Sequence, residues 1–225
     1  MPISLVYRQF SLKRCCRYIS ITLLIAWAFG LQASSTEETL YIGNSGEPGT
    51  LDPHRYNLRL EETLLNDLFM GLTTFSARGQ IVPGAATSWT VSEDGLTWTF
   101  NLRKDLRWSD GTPLTADDFV YSLRRLMNPQ TAASLAYFMY MLDNAEAVNQ
   151  GKLPVTDLGV YSQGPHTLVM QLAAPYPFLP ERLLYPTAFP VPQHIINKVG
   201  AAWTKPEHWV SNGAYTLAHW QPEAF

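Results

Sequence analysis

The sequence predicts a mixed α/β (α+β) fold, with helices and strands sharing a core rather than a helical bundle. Three observations carry that expectation. The stretch "TWTFNLR" at 97–103 alternates apolar and polar residues, apolar residues recur at helical spacing at 60–69 and 119–126, and 16 prolines and 14 glycines divide the 225 residues into short pieces. An apolar content of 46%, with 12% of all residues aromatic, is enough to build a core and argues against disorder.

The first 35 residues are a different material. Arg8, Lys13, Arg14 and Arg17 precede the 14-residue apolar run "YISITLLIAWAFGL", and Ala33-Ser34-Ser35 follows it. That order is the pattern of a secretory signal peptide cleaved after Ala33 or Ser35. The run is short of the roughly 20 residues a membrane span needs, although an uncleaved anchor is the other reading. Cys15 and Cys16 both lie ahead of the apolar run, so neither stands where a lipid-modified cysteine would. The mature chain has no cysteine, which excludes disulfides, a thiol nucleophile and a thiolate metal site. Removing the leader leaves twelve basic against nineteen acidic residues, a net of −7, which argues against nucleic acid as a partner.

In the mature chain, "TLYIG" at 39–43 reads as a short strand, and "NSGEPGTLDPHR" after it as a long loop broken by Gly46, Pro48, Gly49 and Pro53. Leu60, Leu64, Leu65, Leu68 and Phe69 then predict a helix that ends near Gly71. "SEDG" at 92–95 marks a turn, and the strand behind it carries Trp98, Phe100 and Leu102 on one face. Residues 134–150 read as helical, with Leu135, Phe138, Met139 and Leu142 on one side. "TDLGVYSQGPHTLVMQL" reads as two strands separated by Gln163-Gly164-Pro165. Six prolines between 175 and 192 exclude a long helix or central strand and predict a connector over a surface, with a short apolar turn at Phe178–Leu184. "NGAYTLAHW" recovers an alternating pattern, with Tyr215, Leu217 and His219 on one face.

"WSDGTPLTADDFVYSLRR" at 108–125 gathers three carboxylates, Asp110, Asp117 and Asp118. The Asp-Gly pair marks a tight turn, Thr115 stands three residues before Asp118 as in a capping box, and Asp117 and Asp118 fall in the first helical turn, where the dipole favours negative charge. Phe119, Leu123 and Leu126 continue the apolar face until Asn128-Pro129 stops the helix. A metal or acid/base site needs converging ligands, and no histidine lies nearby in sequence. His54, His166, His194, His208 and His219 form no metal-binding spacing, and no nucleophile-elbow or phosphate-loop motif is present. These patterns point away from an enzyme and call for no cofactor or metal.

Taken in order, "LYIGNSGEPGTLDPH", "DLFMGL", "PGAATSWTVSEDGLTWTFNLRKDLRWSDGTPLTADDFVYSLRRL", "TDLGV" and "SNGAYTLAHW" resemble the bacterial extracellular solute-binding proteins of family 5, above all the oligopeptide-binding receptors of peptide ABC importers. Ala86, Asp94, Thr97, Trp98, Phe100, Leu102, Arg103 and Asp105 match the family signature in type and spacing. The resemblance implies a periplasmic, monomeric, two-lobed receptor of the type II periplasmic-binding-protein fold, which holds an oligopeptide largely through its backbone and presents it to an inner-membrane ABC permease. It places residues 36–70 and 193–225 in the first lobe and 71–192 in an extra domain. It leads one to expect a second lobe beyond Phe225, and so a truncated or fragmentary form.

The same resemblance aligns Tyr56, Asn57, Leu58 and Arg59 with a strip that lines the ligand. Leu135 stands where the peptide receptors carry a ligand-touching tyrosine, with Tyr137 two residues on, and Asn57 where the best-known relatives carry an acidic residue. Murein peptides, dipeptides, nickel chelates and haem are in-class alternatives to oligopeptides. An exported module without a transport role, and a secreted hydrolase, are the alternatives from other classes.

Overall fold

The computed structural model describes residues 43–220. The leader at 1–35 and the β-type run at 39–43, Gly43 excepted, lie outside the described residues.

The predicted alternating strand is the centre of the fold. Residues Thr97–Leu102 form β4, flanked by β3 (Ala86–Val91) and β6 (Thr167–Gln171), with β5 (Val160–Ser162) outside β6. All neighbours in this four-stranded sheet, ordered β3-β4-β6-β5, are antiparallel. Trp98, Phe100 and Leu102 are buried, as the alternation requires, and Phe100 sits between Trp89 of β3 and Leu168 of β6. The turn at 92–95 closes the β3–β4 hairpin: the Asp94 carboxylate accepts from the Leu96 amide at 3.0 Å, and Gly95 adopts a φ of 72°. A second, two-stranded sheet pairs β1 (Thr73–Phe75) with β2 (Ile81–Pro83).

Two helices answer the 3.6-residue patterns. Helix α1 spans Arg59–Leu68 and buries Leu65 and Leu68, with Phe69 buried just beyond its end. Helix α2 spans Ala116–Met127 and packs against β5 and β6. Its Phe119, Leu123 and Leu126 are buried; at about 1.5–3 kcal/mol each, such side chains dominate what holds a helix to a sheet. Its N-terminus carries the expected capping box, in which the Asp118 carboxylate accepts from the Thr115 amide at 2.8 Å.

Three segments depart from expectation. Residues 134–150 are not one helix but a 3₁₀ turn at Ala136–Met139 followed by the short α3 (Ala145–Asn149). Between them Leu142 bridges to Leu172, and the Asp143 amide donates to the Gln171 carbonyl at 2.8 Å, so the sheet takes the backbone groups a continuous helix would need. Asn144 at φ 61° completes the break.

The proline-rich connector does contain the short apolar turn, α4 (Leu179–Arg182), and its first part lies at the surface as expected, but residues 186–192 are interior. Leu183, Phe189 and Val191 are buried, and the Val191 amide donates to Ser122 Oγ of α2 at 2.8 Å. Prolines bring no N–H donor, which lets an irregular segment be buried with fewer backbone groups to satisfy.

Helix α5 (Gln193–Val199) follows, and the described residues after it, to Trp220, form no strand. Instead the Gly213 and Tyr215 amides donate to the Leu68 and Asp67 carbonyls at 2.9 and 3.1 Å, at the end of α1. A Cβ at Gly213 would run into the Asp67 and Leu68 backbone, so glycine is required for this approach. Asn212 locks it, bonding both the amide and the carbonyl of Met70 at 3.1 and 2.9 Å. With pairing to a helix end rather than to a sheet, Tyr215 and His219 are exposed.

Candidate ligand-binding face

The loop leading into α1 is organised by one carboxylate. Glu61 is 2% exposed. Its Oε1 accepts from the Gly49 and Thr50 amides at 2.9 and 3.2 Å, and its Oε2 from the Asn57 and Leu58 amides at 2.9 and 3.0 Å. Four N–H donors compensate the burial of this one side chain at the start of the helix. The backbone of residues 57–58 is therefore fixed while its side chains point outward.

A second knot holds the "LDPH" segment. Arg125 of α2 donates to both oxygens of Asp52, at 3.0 and 2.6 Å, and to His54 Nδ1 at 2.8 Å. A guanidinium can only donate, so Nδ1 is the acceptor and the proton is on Nε2, facing the Phe189 carbonyl at 3.3 Å. The Arg125 guanidinium also lies over the Trp203 ring, 5.9 Å from its centroid. Burial, with the Arg125 charge beside it, pushes the His54 pKa down to about 3, which keeps the ring neutral. Burial pushes the Asp52 carboxyl up, but the Arg125 guanidinium outweighs it and holds the group below its ordinary range.

Tyr56, Asn57, Leu58, Arg59 and Leu135 divide between the two sides of this frame. Tyr56 is 3% exposed, and burial, with the Glu62 charge as a smaller cause, raises its pKa. Leu135 is half-buried against the core, while the neighbouring Tyr137 is 55% exposed. Asn57, Leu58 and Arg59 are exposed. Asn57 and Leu58 line a depression of about 430 Å³ shared with Thr50 and Arg55. Arg59 lines a larger cleft of about 800 Å³ on the other side, walled by Phe75, Tyr176, Phe178, Arg182 and Tyr185.

That wall is braced. Tyr185 meets Phe138 edge to face at 5.2 Å, Phe138 meets Tyr137 at 4.8 Å, and Arg182 lies over the Phe138 ring while donating to the Tyr176 hydroxyl at 3.0 Å. Residue reasoning passed over Glu61, Phe178, Arg182 and Tyr185. A glutamate three residues into a helix is a legible capping signal. Tyr176, Phe178 and Tyr185, three of the four aromatics inside the proline-rich connector, were the signal for the wall.

The three carboxylates of 110–118 do not converge. Asp110 accepts from the Thr112 amide at 2.9 Å and pairs with His194 Nε2 at 2.7 Å, a histidine that is distant in sequence and adjacent in space. Burial opposes ionisation of Asp110, but the Thr112 amide and His194 prevail and hold its pKa low. Asp117 accepts from Ser162 Oγ at 2.5 Å, and Asp118 is used in the cap. Among the described residues no three His, Cys, Asp or Glu side chains are grouped as a metal site, and no helix is long and apolar enough to cross a membrane.

An exposed strip whose backbone is held by Glu61 thus lies beside two clefts, and the titratable groups around it are tied into structure. The model of the bacterial extracellular solute-binding proteins, family 5 Middle, matches residues 80–225, and the chain belongs to that family. The chain is 42% identical over 186 residues to the periplasmic oligopeptide-binding protein OppA of Escherichia coli (strain K12), covering 82% of this chain and 34% of that one. It is 40% identical, over 82% of this chain and 35% of the other, to the probable deoxycholate-binding periplasmic protein YgiS of the same organism. The crystal structure of Haemophilus influenzae OppA in complex with RPPGFSPFR matches with a TM-score of 0.78 at 39% identity, covering 80% of this chain and 35% of that one. The chain spans about a third of the length of these relatives, and the described residues have the fold of the matching third.

Proposed function

We propose that the protein is the solute-binding component of a peptide importer, held in the periplasm after its leader is cleaved, and that it takes an oligopeptide along the Asn57–Arg59 strip. In this reading residues 36–70 and 193–225 belong to one lobe and 71–192 to a side domain. Asn57, Leu58 and Arg59 meet the ligand, Tyr56 and Leu135 back them, and a second lobe closes over the face to present the ligand to an ABC permease. One observation carries the reading: Glu61 pins an exposed stretch of main chain by four amide bonds, between two open clefts. A pre-set backbone strip is what an extended peptide pairs with, and pre-ordering lowers the entropic cost of binding.

The test is to purify the protein natively from the periplasmic fraction of its own cells, denature it, and identify what is released by mass spectrometry. Short peptides are the expected finding. An amphipathic acid without peptide bonds is the second reading, favoured by Phe75, Ile81, Phe178 and Leu184 lining the larger cleft beside Arg59, and its recovery would replace the first. Absence of the protein from the periplasmic fraction would refute the export claim.

A further inference from the structure

We propose that the cleft of about 800 Å³ between α1, the β1–β2 hairpin and the 176–185 segment is a specificity pocket for a bulky apolar side chain of the peptide ligand; this rests on the peptide reading above. Phe75 and Phe178 are 61% and 57% exposed, and both line this cleft. Phe75 comes from a strand and Phe178 from the residue just before α4, so the fold brings two separate elements together to present aromatic surface to one space. An exposed aromatic pair facing a shared cleft marks a place where apolar surface is to be covered.

Charge narrows what covers it. The rim carries Arg59 and Arg182 against Glu62 and Glu181, two of each sign, so it favours neither a polyanion nor a polycation. A neutral apolar group on a zwitterionic main chain is the occupant that leaves these charges unopposed. Position narrows it further. Arg59 belongs both to the strip and to this cleft, so a peptide whose backbone follows Asn57–Arg59 delivers its next outward side chain at the cleft mouth. The far wall is already in place, because Arg182 is held between the Phe138 ring and the Tyr176 hydroxyl and Tyr185 is braced on Phe138. Such a pocket pays little ordering cost when it fills.

The experiment measures binding of triphenylalanine and trialanine to the full protein, with its leader removed in the cell, by calorimetry. The wild type is expected to bind triphenylalanine at least about tenfold more tightly, the scale that burying one aromatic side chain supplies. Phe178→Ser and Phe75→Ser should each reduce that preference severalfold, through weaker triphenylalanine binding. Both side chains are exposed, so the variants keep the core. Val91→Ser, which removes an exposed apolar residue on β3 that does not line the cleft, should leave the preference as it is. Equal affinities in the wild type, or a preference unaltered by both phenylalanine variants, would overturn the pocket while leaving peptide binding intact. Failure of both peptides to bind would overturn the peptide reading, and the pocket with it.

Discussion

Glu61 and His54 show two ways in which a titratable side chain survives burial. Glu61 accepts from four amide donors, and an amide side chain would present one oxygen and a donor in place of two acceptors. Glu61→Gln should therefore lose at least one pair of these bonds and turn an NH₂ toward N–H groups. A cost of about 2–6 kcal/mol is expected in urea unfolding, since each of the two amides left without a partner costs about 1–3 kcal/mol. Unchanged stability would mean that the loop is not held from this residue. His54 survives by staying neutral. Its folded pKa, about 3, lies below its ordinary 6.5, so the unfolded chain binds more protons through that interval. Stability is thus complete above pH 6.5 and declines as pH falls towards 3, by up to about 1.4 kcal/mol per pH unit from this one proton. The depressed Asp52 carboxyl adds a loss of the same sign below its ordinary 3.8. Urea midpoints from pH 7 to 4 should fall less steeply in His54→Gln than in the wild type; parallel slopes would contradict the assignment.

At the scale of elements, α2 tests how a helix start is shared between two residues. Asp118 accepts from the Thr115 amide at 2.8 Å, from Thr115 Oγ1 at 3.3 Å and from Trp108 Nε1 at 3.4 Å, and burial raises its pKa. Asp118→Ala should cost about 1–2 kcal/mol and Thr115→Ala about 0.5–1 kcal/mol by thermal unfolding, because the aspartate serves three donors and the threonine side chain joins only one of those bonds. A larger loss from Thr115→Ala would reverse that division. This helix, strand β4 with the turn before it, the β5–β6 pair and α1 were legible because period and punctuation lie within about a dozen residues of each other. What sequence reasoning missed depends on partners far along the chain. The 134–150 helix is broken by Leu172 and Gln171, the tail is claimed by the end of α1, and Asp110 acquires His194 from 84 residues away. The strip at 56–59 was located through family resemblance; that Tyr56 faces inward and Asn57 to Arg59 outward followed only once Glu61 and the core were placed.

The whole molecule is tied where these distant partners meet. Arg125 joins the 52–54 loop, helix α2, the Phe189 end of the connector through His54, and the Trp203 ring, so a single guanidinium links four separated stretches of chain. Breaking a buried ion pair from one side strands the other charge. Arg125→Met is therefore expected to cost about 3–5 kcal/mol, much of it the penalty of leaving the Asp52 carboxylate in an apolar setting. Asp52→Asn alone leaves the guanidinium partly solvated, since the Arg125 side chain is 17% exposed against 6% for Asp52, and should cost less. The double variant removes both charges, so its cost should fall short of the sum of the two single costs by about 1–3 kcal/mol. The same variants probe whether the four stretches unfold together. If the latch unites them, urea unfolding followed by tryptophan fluorescence and by circular dichroism stays coincident in the wild type and separates in Arg125→Met, where Trp203 loses its cover before the four-stranded sheet melts. Coincident curves in that variant, or additive costs in the double variant, would reduce the latch to an ordinary local contact. The ligand face would then depend on Glu61 alone for its shape.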